Sequence, residues 1–222
     1  MLDRGLSAVR IHADLRAENG IELSYHSVRR FIAARGKASP EPFRRMECAP
    51  GDEVQVDFGA GPMLMLDGRR RRTHVLRVVL SHSRKGFSEA VLKQDTESFI
   101  RVLENAFRHF GGVPRTVVVD NLKAAVSKAD WFEPELNPKL GAFARFHGTV
   151  ILPTKPYIPR HKGKVERGVG YVKDNGLKGR EFATLAEANA HLLRWETTVA
   201  DMRVHGTTRR QVGEHFESME RA

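Results

Sequence analysis

Cysteine is nearly absent from this chain of 222 residues, whose only thiol is Cys48. A single cysteine makes no disulfide within the chain and no cysteine-based zinc site, and this usage is typical of a reducing cytoplasm. Long apolar runs are also lacking. Because none approaches the roughly 18 residues of a membrane-spanning helix, we expect no membrane span. The start, MLDRGLSAVRIHADL, has neither the apolar region nor the cleavage site of a signal peptide.

Acidic residues are too few to balance the basic ones. The chain has 37 Lys and Arg against 27 Asp and Glu, which gives a formal net charge of +10 and a pI near 10.1. This excess favours a polyanionic partner, most often nucleic acid, although basic ribosomal and membrane-surface proteins share it. The ten histidines are scattered without the spacing of metal ligands.

Residues 1–40 carry the pattern of two short helices. The first, SAVRIHADLRAENG, has apolar residues at helical spacing and ends at Gly20. The second, YHSVRRFIAARG, directly follows its candidate N-cap, Ser24, and ends at a glycine. We expect its inward face to consist of Val28, Phe31 and Ile32.

This outline is typical of a helix-turn-helix, the motif that places its second helix in a DNA groove. The side chains that would then face the groove or its phosphates are Tyr25, His26, Arg29 and Arg30. The alternative is a helical hairpin with a solvated basic face. Residues 41–50, in a proline-rich stretch, are predicted to be a linker.

Residues 51–180 change to strands followed by helices. The stretch from EVQVDFG through PMLMLDG, four arginines, THVLRVVL and GFSEAVLK predicts three consecutive antiparallel strands with a turn at Asp67-Gly68. Residues 96–110 have apolar side chains at helical spacing and predict a helix that ends at Gly111-Gly112.

The second half of the chain alternates strands and helices. TVVVD (116–120) predicts a strand buried on both faces, NPKLGAFARFHG a helix, and TVILP (149–153) another buried strand. Helical spacing resumes in GKVERGVGYVKDNGL, and residues 184–203 predict one last amphipathic helix within a C-terminal helical extension, residues 181–222. The order predicts an α/β fold in which a mixed sheet is flanked by helices.

Two acidic residues follow strands that are predicted to be buried. Asp57 comes after EVQV and Asp120 comes after TVVV. The first and fourth strands could lie side by side, which would bring both carboxylates to one edge. Clustered carboxylates repel one another unless a divalent cation lies among them, and Mg²⁺ suits an all-oxygen site that also binds substrate phosphates.

Simpler interpretations of the acidic residues exist. Asp57-Phe58-Gly59 fits an ordinary turn at a strand end, and Asp120-Asn121 fits an Asx-turn or a helix N-cap. A third carboxylate, Glu166, lies in the basic stretch PRHKGKVERG and fits an i,i+4 pair with Lys162.

Three segments together resemble the retroviral-integrase-type (DDE) transposase core, and specifically the IstA-like transposases of bacterial insertion sequences. They are GDEVQVDFG (51–59), RTVVVDNLKAAV (115–126) and ILPTKPYIPRHKGKVERGVGYVKDN (151–175). Asp57 and Asp120 are separated by 62 residues, and Asp120 and Glu166 by 45. The predicted helix-turn-helix also resembles the one that precedes this core in the family. The resemblance implies a ribonuclease H-like fold with a mixed five-stranded sheet and a catalytic core at residues 51–180.

The same resemblance implies the roles of individual residues. Asp57, Asp120 and Glu166 would be the metal-binding catalytic triad, holding two Mg²⁺ or Mn²⁺ ions about 3.5–4 Å apart when DNA is bound. Asn121 would orient a carboxylate or the substrate. The basic residues that would contact DNA phosphates are Lys155, Arg160, His161, Lys162, Lys164 and Arg167.

The resemblance also implies partners and a setting. Double-stranded DNA, as element ends and target, would be the substrate of metal-dependent cleavage and strand transfer. A homo-oligomer on DNA, an IstB-like ATPase helper and a bacterial, nucleoid-associated location in the cytoplasm are expected. Family members usually carry further domains on both sides, so we expect a truncated form. Two alternatives stay open: a catalytically silent DNA-binding remnant or regulator of a full-length transposase, and a ribonuclease H-like nuclease acting on RNA–DNA hybrids.

Overall fold

The computed structural model describes residues 8–35, 48–66, 68–119, 126–128, 135–153 and 168–221. The chain divides into two compact units, Met1–Met46 and Glu47–Ala222. The finer boundaries given above for the linker, the core and the C-terminal extension stay predictions. Within the described ranges, no helix combines the length and the apolar character needed to span a bilayer.

The first unit contains helices α1 (Ala8–Asn19) and α2 (Tyr25–Arg35). Ser24 caps α2 as predicted, because its Oγ accepts the N–H of Ser27 at 3.2 Å. Ile11 and Val28 are buried. The expectation that Phe31 faces inward is wrong, since 54% of Phe31 is exposed. A two-helix unit covers only a narrow stripe of each helix, and the stripe of α2 is centred on Val28.

A five-stranded mixed sheet forms the centre of the second unit, and this prediction is confirmed. The five strands are β1 (Glu53–Leu66), β2 (Arg69–Leu80), β3 (Gly86–Val91), β4 (Thr116–Val119) and β7 (Val150–Pro153). Their order in the sheet is β3-β2-β1-β4-β7, with β2 antiparallel to both β1 and β3, and β4 parallel to both β1 and β7. Two short strands, β5 (Val126–Lys128) and β6 (Glu135–Leu136), pair separately.

Helices α3 (Thr96–Phe110) and α4 (Pro138–His147) cover one face of the sheet. Asp95 caps α3 by accepting the N–H of Ser98 at 2.8 Å, and Gly111 ends it in the left-handed conformation with φ of 76°. The apolar residues that predicted this helix are all buried in its core: Phe99, Val102, Leu103, Ala106, Phe107 and Phe110.

The other face is covered by segments from the last third of the chain. These are residues 168–171 with the π-helix π1 (Val172–Leu177), helix α5 (Leu185–Trp195) and the π-helix π2 (Glu196–Ala200). Helix α6 (Val212–Met219) instead adds Phe216 to the core beneath α3. The helix predicted for 184–203 is confirmed from Leu185 to Ala200, where α5 continues without a break into π2. It is not the last helix, because α6 follows it and was not predicted.

Strand β7 differs from its prediction as a fully buried strand. Ile151 is buried, but Val150 and Leu152 are 58% and 52% exposed. Among the described strands, β7 lies at the edge of the sheet and pairs with β4 alone. TVVVD is confirmed in its described part, because Val117, Val118 and Val119 of β4 are all buried.

The last helix is tied to the beginning of the sheet. The two carboxylate oxygens of Glu220 accept the N–H groups of Gly51 at 3.1 Å and Ser83 at 3.0 Å. Lys85, in the loop between β2 and β3, forms a buried ion pair with Asp201. Nearby on α3, burial lowers the pKa of His109 to about 4, with the positive charge of Lys85 adding to the effect. The C-terminal helices therefore belong to the same compact unit as the sheet.

A buried ion pair links β2 to π2. The Arg77 guanidinium donates to Glu196 and, at 2.8 Å, to Oγ of Ser88, and the charged side chains are only 2% and 0% exposed. Gly86 makes room for it, because a Cβ at that position would collide with the guanidinium. Removing one partner of such a pair leaves a buried charge without compensation, which is far more costly than losing an exposed pair.

We therefore predict that Glu196→Gln lowers the free energy of unfolding by about 3–5 kcal/mol, measured by urea denaturation. The matched control is Glu97→Gln, which removes a carboxylate from the exposed Glu97–Lys139 pair and should leave stability unchanged within error. Equal losses of unfolding free energy in the two variants would contradict the role of Glu196 as the buried partner of Arg77.

Candidate active site and nucleic-acid interface

Asp57 lies on the central strand of the sheet. It is half-buried, its Oδ1 accepts the N–H of Phe58 at 2.9 Å, and it stands opposite Arg77 of β2. Val56 contributes to the core beneath α3, and alternation along β1 therefore directs Asp57 and Gly59 to the opposite face. The expectation that the strand ends at Asp57 is wrong, because β1 continues to Leu66. What ends there is the pairing of β1 with β4.

The first and fourth strands lie side by side, as the sequence predicted. In the parallel register, Val54 stands opposite Val117 and Val56 opposite Val119. Val119 is the last residue of β4, and the next residue of the chain is Asp120. The described end of β4 is therefore next to the position of Asp57, at the carboxyl end of the parallel strands.

A glycine brings the segment that follows Glu166 against β1. A Cβ built on Gly59 would collide with Cγ1 of Val169, so only glycine fits this approach. Gly168 lies beside β2, since a Cβ built on it would lie 3.3 Å from Cγ2 of Val79 and 3.5 Å from Nε of Arg77. Val169 therefore packs against β1 at Gly59, two residues beyond Asp57. Gly59 is visible in the sequence as a glycine inside a predicted strand, but no role was predicted for it.

Most of the predicted site residues lie outside the described residues, and their roles stay predictions. They are Asp120, Asn121, Lys155, Arg160, His161, Lys162, Lys164, Glu166 and Arg167. Within the described ranges, no three His, Cys, Asp or Glu side chains lie close enough together to hold a metal ion. Since only one of the three proposed ligands, Asp57, belongs to those ranges, this finding leaves the triad untested.

The predicted DNA-facing residues of the first unit lie together on α2. Ser24, His26, Ser27, Arg29 and Arg30 line one shallow groove, and both arginines are exposed. Tyr25 is 37% exposed and packs edge-on against His12 at a centroid distance of 5.9 Å. His12 in turn contacts the carbonyl oxygen of Leu23 at 2.8 Å, which ties the connection between the helices to α1.

Known proteins resemble this chain in sequence and in fold. The model of the integrase core domain matches residues 48–159. The transposase of insertion sequence element IS21 from Pseudomonas aeruginosa is 35% identical over 160 residues, covering 72% of this chain and 41% of that protein. The transposase of element IS640 from Shigella sonnei is also 35% identical over 160 residues, covering 72% of this chain and 50% of that protein.

The fold similarity extends to a solved assembly. A chain in the cryo-electron microscopy structure of the simian T-cell lymphotropic virus intasome, in complex with PP2A regulatory subunit B56 gamma, superposes with a TM-score of 0.55 and 16% identity. The superposition covers 95% of this chain and 74% of that one. At this identity the likeness concerns the fold alone, and it agrees with the ribonuclease H-like sheet.

The integrase core domain spans more than half of the chain, and the chain therefore belongs to the integrase core domain family. The relatives named above are insertion-sequence transposases, so the resemblance to IstA-like transposases is confirmed. The chain spans half or less of the length of the curated relatives it matches.

The contact between Gly59 and Val169 generates a prediction that can be tested by exchanging side-chain volume. Gly59→Ala should destabilise the protein by about 1–3 kcal/mol, because the new methyl group overpacks against Val169. Adding Val169→Ala removes the colliding Cγ1 and should recover most of that loss in a thermal unfolding experiment. Strictly additive effects of the two substitutions would show that the residues do not touch.

Proposed function

We propose that this chain carries the catalytic core of a DNA transposase that cleaves and joins DNA with a divalent metal ion. Asp57, Asp120 and Glu166 are the proposed metal ligands. The observation that carries the proposal is the convergence on β1: the end of β4 and the segment at residue 169 both meet this strand within two residues of Asp57.

Chain connectivity limits how far Asp120 can be from Asp57. Each follows directly after one member of the Val56–Val119 pair. Neighbouring strands are about 4.8 Å apart and consecutive Cα atoms 3.8 Å apart, so the two aspartate Cα atoms are at most about 12 Å apart. Carboxylates at the ends of adjacent parallel strands can then converge on one ion.

A similar limit applies to Glu166. It precedes Val169 by three residues, which sets its Cα at most about 11 Å from that of Val169. Val169 contacts Gly59, whose position faces the same side of β1 as Asp57. Gly168 and Val169, which follow Glu166 closely in the chain, therefore lie on the face of the sheet that carries Asp57, and this supports Glu166 as the third ligand.

The donor set suits Mg²⁺ or Mn²⁺, because all three proposed ligands are carboxylates. When bound, two such ions would activate the attacking hydroxyl and stabilise the leaving oxygen of a phosphodiester. The Asp57 carboxylate accepts the N–H of Phe58, and β1 is paired with β2 at Asp57 and with β4 up to Val56, which limits its movement. A rigid first ligand favours the fixed geometry that such chemistry needs.

Double-stranded DNA is the proposed substrate, and a homo-oligomer on DNA is the proposed active form. The net charge of +10 and the basic groove on α2 support a DNA partner. The related insertion-sequence transposases support element ends and a target as the two DNA substrates. The IstB-like ATPase helper and the bacterial location stay predictions.

Asp57→Asn tests the metal site. The unfolding temperature of the wild-type chain should rise by several degrees when Mn²⁺ is added, because an ion that binds only the folded state stabilises it. Asp57→Asn should abolish this shift together with Mg²⁺-dependent joining of DNA 3′ ends, while DNA affinity in EDTA stays near normal.

The matched control is Asp52→Asn. It removes a carboxylate just before the other end of β1, where Asp52 pairs with exposed Arg115 at 3.4 Å, and should change neither readout. If Asp57→Asn retains the Mn²⁺ shift and the joining activity, the triad is wrong. If the unchanged chain binds DNA but neither binds Mn²⁺ nor joins DNA, the chain is a catalytically silent DNA-binding protein.

Lys162 and Lys164 are proposed phosphate contacts beside the third ligand. Replacing both with alanine should reduce the slope of log affinity against log salt by about 1.8, since each phosphate contact contributes about 0.9. Fluorescence anisotropy with a labelled duplex at several salt concentrations measures this slope. An unchanged slope would mean that neither lysine contacts a phosphate.

A further inference from the structure

The hairpin between β1 and β2 extends beyond the rest of the sheet. β4 pairs with β1 only up to Val56, and β3 pairs with β2 only from His74 onward. Between Ala60 and His74 the two strands pair with each other, around a turn that contains Gly68 with φ of 70°. Apart from one bridge between Leu64 and Phe182, no other described strand joins them. We call residues 60–74 the arginine ribbon.

Four consecutive arginines occupy one strand of this ribbon. Arg69, Arg70, Arg71 and Arg72 are all exposed. Within the described ranges, none of the four forms an ion pair with a carboxylate, although other exposed arginines such as Arg108 and Arg115 do. Four exposed guanidinium groups on adjacent residues repel one another, and the binding of an anion relieves this repulsion.

The arginines point to both faces of the ribbon. Arg70 and Arg72 stand opposite Met65 and Met63, and because opposite residues share a face, these four side chains lie together. Both methionines are about half exposed. Arg69 and Arg71 occupy the other face with Leu64, which is fully buried against the second core. The register shift between Ala60 and Met63 produces this arrangement by turning Leu64 inward.

We propose that the arginine ribbon is a second DNA-binding site, which holds the phosphate backbone of double-stranded DNA beside the active site. A two-stranded ribbon fits the major groove, which is about 12 Å wide and has phosphates along both walls. Positive charge on both faces of the ribbon matches those two walls. A protein partner would cover a single face, which leaves the arginines on the other face unexplained.

The ribbon also fixes where on the DNA it would bind. Arg77 stands opposite Asp57, and Arg72 and Arg69 lie five and eight residues further along β2. At about 3.4 Å per residue these arginines lie about 17 Å and 27 Å from the proposed metal ligand. A base pair rises about 3.4 Å, so a duplex that runs along the ribbon would be contacted about five to eight base pairs from the scissile phosphate. This position rests on the proposed function, whereas DNA binding by the ribbon does not.

The test measures the salt dependence of affinity for a fluorescent 30-base-pair duplex in EDTA. We compare two double variants, Arg69→Gln with Arg71→Gln and Arg70→Gln with Arg72→Gln, which neutralise one face each. Each should reduce the slope of log affinity against log salt by about 1.8, since each lost phosphate contact removes about 0.9. All four substitutions together should reduce it by about 3.6.

Two controls distinguish the loss of phosphate contacts from a change in net charge and from misfolding. Arg101→Gln with Arg108→Gln removes the same charge from exposed positions on α3, where both arginines pair with glutamates, and should leave the slope nearly unchanged. Replacing the four ribbon arginines with lysine keeps the charge and should keep the slope, and circular dichroism should give the same folded spectrum for every variant.

An unchanged slope in both double variants overturns the proposal. A loss confined to Arg70 and Arg72 overturns groove binding and shows that only the methionine face of the ribbon contacts phosphates. Because the assay contains no metal, it is independent of the triad. If Asp57→Asn keeps strand joining while the ribbon variants reduce the salt dependence of DNA affinity, the assignment of Asp57 as a metal ligand is wrong. The arginine ribbon is then still a DNA-binding site.

Discussion

The pairing of β1 with β2 on one side and β4 on the other is the constraint on which the rest of the structure depends. Because β1 is central, its alternate residues face two separate cores, with Val54 and Val56 beneath α3 and Gln55 and Asp57 on the other face. The same register brings the end of β4 next to Asp57. Fold and candidate site thus follow from one set of backbone hydrogen bonds.

A bulge allows the same strand to serve a second purpose. Without the register shift between Ala60 and Met63, the outer part of β1 would keep the alternation of its inner part, and Met63 would point where Leu64 now lies. Leu64 instead anchors the hairpin in the second core, together with Val75 and Phe182. The anchored hairpin then extends its arginines into solvent at a set distance from Asp57.

Local patterns predicted the elements whose periodicity is strong. The spacing of the six apolar residues of α3 and the run of valines in β4 predicted which side chains are buried, because each element packs against the core along its whole length. The π2 turn contains Glu196, whose partner Arg77 is 119 residues away in sequence, and local propensity does not indicate this contact. Helix α6 has only eight residues and is stabilised by packing of Phe216, so its own sequence is too short to indicate a helix.

The candidate site was predictable in part for the same reason. Two predicted strands that are each followed by an aspartate indicate a shared site once they are placed side by side, and the register agrees for the described residues. The contact of Gly59 with Val169 and the position of Arg77 opposite Asp57 depend on how distant segments meet, which one sequence does not reveal. The arginine run was visible in the sequence, but its division between two faces required the register.

The most direct measurement of the central claim is the anomalous diffraction of manganese in crystals of the protein with Mn²⁺ and DNA. The account predicts a peak within about 2.0–2.2 Å of an oxygen of Asp57, with oxygens of Asp120 and Glu166 bound to the same pair of ions. A well-ordered site in which Asp57 has no manganese neighbour, or in which Asp120 and Glu166 bind elsewhere, would contradict it.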